Sequence, residues 1–90
     1  MFDEKKLIEA IALTRLFDIK ELLLDVNFVN SEKGKRILLE YKEKVKDIAI
    51  AVAMSNKFKI NGAEVSLIID KVFSDVLGME LLDAPITGKE

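Results

Sequence analysis

Neither cysteine nor histidine occurs in this 90-residue chain. Without thiols there is no disulfide framework and no thiolate metal site, and without imidazole the commonest metal ligand and the usual proton shuttle near neutral pH are missing. Most familiar catalytic and zinc sites are thereby excluded. Glutamine is absent too, while Lys, Glu and Ile are abundant, a bias found among hyperthermophile proteins. Long apolar runs are also lacking. The longest, Ile48 to Met54, has seven residues, against the roughly 20 that cross a bilayer as a helix, so no transmembrane segment is expected. The start, Met1-Phe2-Asp3-Glu4, is acidic where an export signal needs positive charge, and the cytoplasm is the expected location.

What is present is a composition that folds. Half of the residues are apolar and a third are charged, far from the polar, highly charged composition of disordered chains. The length suits one hydrophobic core, since a domain takes roughly 100 to 200 residues. We therefore expect a single helical domain over residues 1–78 and a C-terminal tail over 79–90, where Pro85 and Gly88 interrupt any period. The net charge of -2 is unevenly spread: residues 1–30 carry 4 basic and 6 acidic groups, 31–59 carry 8 and 4, and 60–90 carry 2 and 6. A basic middle lies between acidic ends.

Periodicity predicts an all-α, four-helix bundle-like domain. The last helix is the clearest, because Val65, Ile68, Ile69, Val72, Phe73, Val76 and Leu77 follow the three-four spacing of one helical face. Asn61 caps its start with Glu64 three residues on, Gly78 suits its left-handed end, and the helix is expected over about 62–77. A hairpin at Asn61-Gly62 is the competing reading, since Val65, Leu67 and Ile69 also alternate. A long third helix is expected from Asn30 or Ser31 to Met54 or Ser55, with Leu38, Tyr41, Val45, Ile48 and Val52 as its apolar seam. Before it, Asp3 or Phe2 opens a first helix with Leu7, Ile8, Ile11 and Ala12 on one face, ending near residues 14–16. Asp18 then reads as a fresh cap for a short second helix over about 19–25, one kinked helix being the alternative, and residues 25–30 read as a loop.

The remaining motifs do not assemble a reaction site. Asp25, Asn27 and Ser31 match positions one, three and seven of a calcium loop, but Val29, Asn30 and Arg36 stand where that loop needs an oxygen ligand, a glycine and a bidentate acid. Ser31, Ser55, Ser66 and Ser74 have no base at catalytic spacing. The glycines are scattered, not clustered for phosphate, and acid pairs such as Asp70 with Asp75 or Glu40 with Glu43 read as solvated helix faces. No cofactor, metal or small-molecule substrate is expected.

Two binding surfaces remain. Ile48 to Met54 is apolar around its whole circumference, and a helix of that kind must be covered on every side. Ile48, Ile50, Ala51, Val52 and Met54 are therefore the expected interface of a homo-oligomer, most simply a two-fold dimer, in a non-enzymatic module that binds itself and another protein. The alternative cover is the first helix together with residues 81–86. The rival function is nucleic-acid association through Lys33, Lys35, Arg36, Lys42 and Lys46, weakened by the interleaved Glu32, Glu40, Glu43 and Asp47. A helix-turn-helix drawn over residues 58–77 would present Glu64, Asp70 and Asp75 to phosphate, the wrong sign for a groove reader.

Overall fold

The computed structural model describes residues 3–78, which are helical throughout apart from short connections, with no strand among them. Five helices follow in order: α1 (Glu4–Asp18), α2 (Lys20–Leu23), α3 (Val26–Asn30), α4 (Glu32–Ser55) and α5 (Gly62–Leu77). The all-α expectation holds, and Asn61-Gly62 opens a helix and not a hairpin. Among the described residues no helix is long and apolar enough to cross a membrane. The expected tail and its fold-back over α4 lie outside the described residues, as does Phe2.

Local capping chemistry sets most boundaries. The side chains of Asp3, Asp25, Ser31 and Asn61 accept from the amides of Lys6, Phe28, Gly34 and Glu64 at 2.8–3.2 Å, each satisfying a first-turn donor that has no partner inside its own helix. At the far end of α5, Gly78 takes the left-handed conformation, with φ 71°. Two sequence expectations fail nearby. Asp18 is not a cap but the last residue of α1, where it pairs with Arg15 at 3.6 Å. The turn falls one residue later, at half-buried Ile19, which packs on the core. The expected loop over residues 25–30 is the short helix α3, because Asp25 caps it, so five helical segments replace four.

α1, α4 and α5 form the core. Ile8, Ala12 and Leu16 of α1 meet Leu38, Val45, Ala49 and Ala53 of α4 and Val65, Ile69 and Phe73 of α5, all buried. The face of α4 turned inward is rotated from the seam that bulky side chains suggest. Tyr41 and Val52 are half-buried and Ile48 is exposed, while Lys42, Ala49 and Ala53 face the core. Interaxial distances, roughly 8–10 Å, depend on the side chains at the contact and shorten where these are small, so Ala49 and Ala53 take the contact line in the C-terminal half of α4, after Leu38 and Val45.

Two polar ties hold α1 at its ends. The Tyr41 hydroxyl donates to the Arg15 carbonyl at 2.7 Å, with its ring 6.4 Å from that of Phe73. Burial, then the Asp18 carboxylate, raises the Tyr41 pKa above its usual 10.0, against the opposing pull of Arg15. At the other end the Glu4 carboxylate accepts from the Lys59 and Ile60 amides at 3.1 Å, clasping the α4–α5 connection.

Candidate interaction surfaces

α4 presents different chemistry on its two flanks. Lys42, Lys46 and Ile50, four residues apart, lie toward α5: both ammonium groups stand 2.9 Å from Asp70 Oδ1, and Ile50 meets Val65 and Gly62 at the edge of a shallow recess. Tyr41, Ile48 and Val52 lie toward α1, on the side from which Tyr41 reaches Arg15.

The charged cluster between α4 and α5 was not legible as a unit. Lys42 is 6% exposed, and Asp70 Oδ1 is itself shielded from solvent, so the attraction acts in a partly dry groove. Burial, the largest influence on Asp70, raises its pKa, but the hydrogen bonds and charges of Lys42 and Lys46 outweigh it and hold the carboxyl below its ordinary 3.8. Burial likewise works against the Lys46 charge, and Asp70 with Glu43, 3.3 Å away, overcomes it and raises that pKa above 10.5. The signal available in the sequence was spacing: Lys42 is four residues from Leu38 and three from Val45, on the face that turns inward.

This cluster divides the expected basic surface. Lys42 and Lys46 are committed to Asp70, so the five-residue stripe does not exist as a free field. Lys33, Lys35 and Arg36 are exposed at the first turns of α4 and have no ion pair among the described residues. They occupy the positive end of the helix dipole, where cations are disfavoured.

The expected apolar interface also divides. Ala51 and Met54 are exposed, Met54 at 74%, and Ile48 at 38% sits on the α1 flank. Ile50 and Val52 are half-buried within the monomer. Beside Met54 lies the recess lined by Ile50, Ala53, Phe58, Ile60, Gly62 and Val65. Five further large apolar side chains, unforeseen from periodicity, are exposed by 44% or more along α1 to α3: Leu13, Phe17, Leu22, Leu24 and Val26. These five fall outside any helical stripe long enough to register as one. Among the described residues no group of three or more acids could hold a metal ion.

Compared with known protein families, curated proteins and solved structures, the chain matches none.

Proposed function

We propose that this chain is a small, bundle-like, non-enzymatic interaction module of the cytoplasm, which self-associates through the exposed side of the C-terminal half of α4 and acts by binding another protein. The observation that carries the reading is the exposure of Ala51 and Met54 beside an apolar recess, on a helix whose opposite face is already filled by the core. Water contact with this apolar area is unfavourable by roughly 25 cal/mol per Å², which a partner surface relieves. The charged groups between α4 and α5 serve cohesion in this reading, since Asp70 offsets two ammonium groups there.

Light scattering tests it directly. The monomer mass is 10.1 kDa, and the expected result is a rise toward twice that value over micromolar concentrations. Met54→Glu, at an exposed position, is expected to abolish the rise and keep the wild-type helical signal. A constant 10.1 kDa mass for the wild type would overturn the self-association reading.

The rival, nucleic-acid association, is favoured by one observation, the exposure of Lys33, Lys35 and Arg36 with no ion pair among the described residues. It predicts retention on heparin at moderate salt and loss of retention in Lys33→Ala with Arg36→Ala, because phosphate affinity follows the number of cations engaged. Elution at low salt would remove it.

A further inference from the structure

The pair Asn61-Gly62, which opens α5, also holds chemistry of its own. A side-chain amide followed by glycine can close on itself. The Gly62 nitrogen, its proton passed to a base in solvent, attacks Asn61 Cγ, the Cγ–Nδ2 bond breaks, and ammonia leaves. Water then opens the succinimide ring at either carbonyl, giving aspartate or isoaspartate. Glycine favours the closure because no Cβ shields the attacking nitrogen. The other three asparagines, Asn27, Asn30 and Asn56, precede Phe28, Ser31 and Lys57, which do carry that shield.

We propose that Asn61 is a deamidation site that the native fold holds closed, with the Glu4 clasp as its latch. Both residues of the pair are exposed, so burial does not protect them. Conformation does. Ring closure needs Cβ and the Gly62 nitrogen aligned about the Asn61 Cα–C bond, and ψ 168° holds them out of that alignment. The Asn61 side chain is engaged elsewhere, its Oδ1 accepting from the Glu64 amide at 2.8 Å, while its carbonyl accepts from the Val65 amide at 3.0 Å. These bonds anchor it from the α5 side. From the other side, the Glu4 carboxylate of α1 accepts from the Lys59 and Ile60 amides at 3.1 Å and fixes the two residues that lead into Asn61. Rotation at Asn61 therefore requires the first turn of α5 and the clasp to open together. The two products then differ in consequence. Aspartate keeps a capping oxygen at the positive end of the helix. Isoaspartate routes the main chain through Cβ and Cγ, which lengthens it by one carbon and removes the carbonyl that serves Val65, a core residue.

Peptide mapping by mass spectrometry tests this on the full chain, kept in warm, mildly basic buffer either native or unfolded in urea. In urea, Asn61 is expected to convert fastest of the asparagines, and Gly62→Ala to slow it severalfold. In the fold, that added Cβ meets only Ile50 Cδ1, at an ordinary 3.9 Å. The native wild-type rate is expected to be about a hundredfold below the rate in urea, because a cap and charge-assisted bonds must break first. Glu4→Ala is expected to speed the native reaction by about tenfold and leave the rate in urea unchanged. Gly34→Ala, a change at the opposite end of α4, is expected to alter neither. Equal wild-type rates in the two conditions, or no preference for Asn61 in urea, would overturn the closed site. No acceleration by Glu4→Ala, or the same acceleration by Gly34→Ala, would overturn the latch.

Discussion

Gly34 shows how one residue can reverse the rule that governs its neighbours. Inside a helix, alanine is ordinarily favoured over glycine by roughly 0.5–1 kcal/mol. Here a Cβ would stand 1.7 Å from the Phe28 carbonyl oxygen and 2.9 Å from Ser31 Oγ, where α3 folds against the first turn of α4. Backbone has to move to admit it. Gly34→Ala is therefore expected to destabilise by about 1–3 kcal/mol in thermal or urea melts, the overpacking cost outweighing propensity. Ile69 and Lys71 give a sharper contrast on α5. Ile69 is fully buried, and Ile69→Asp places a charge in the core and is expected to unfold the domain. The Lys71 side chain is 78% exposed with a 3.5 Å contact to Asp75, and Lys71→Ala is expected to change stability by no more than about 0.5 kcal/mol. Equal melting shifts for the two would contradict the inward face assigned to α5.

At the scale of elements, the end of α4 is closed by Lys57, a non-glycine residue with φ 56°. Its amide donates to the Met54 carbonyl at 3.1 Å and the Phe58 amide to the Ala53 carbonyl at 2.8 Å. This is the reversed-turn cap in which glycine is usual, because a side chain in the left-handed region crowds the backbone. Lys57→Gly is expected to raise the melting temperature, by an amount worth up to about 1 kcal/mol after the entropy that glycine adds to the unfolded chain. The α4–α5 pairing should in turn respond to acid. Asp70 is held below its unfolded value near 3.8, so its contribution is present above about pH 4 and is lost as pH falls through the lower, folded value. Asp70→Asn removes a carboxylate from two ammonium groups and is expected to cost about 1–2 kcal/mol near neutrality, a modest figure because Asp70 is 39% exposed to screening solvent. The gap between wild-type and variant melting temperatures should narrow below pH 4. A gap independent of pH would show that the carboxylate charge is not what joins the helices.

For the whole molecule, α1 is the keystone, packed against both α4 and α5 and fixed at one end by Glu4 and at the other by the carbonyl bond from Tyr41. Glu4→Gln keeps the shape of the clasp but removes the charge from its bonds to two backbone amides, and charged acceptors contribute more than neutral ones. Its expected signature is faster amide exchange at Lys59 and Ile60, together with a lower melting temperature. Unchanged exchange there would mean that the connection is held by the packing of Phe58 and Ile60 alone.

The sequence by itself determined the helical class, the bounds of α5 and the cap at Asn61, and it narrowed the starts of α1 and α4 to Asp3 or Phe2 and to Asn30 or Ser31. These depend on 3.6-residue periodicity and on side chains that serve amides three positions away, both of which act within a single turn. It marked the C-terminal half of α4 as apolar on every side, but not which side meets the core. Tertiary packing decided that Ala49 and Ala53, and not Ile48 and Val52, meet the core, because close approach of three helices rewards small side chains over apolar bulk. It also decided that Lys42 turns inward to Asp70, 28 positions further along the chain, and that Glu4 reaches the amides of residues 59 and 60. Such pairings join groups far apart in sequence, and no local spacing encodes them; they exist only once α1, α4 and α5 have closed on one another.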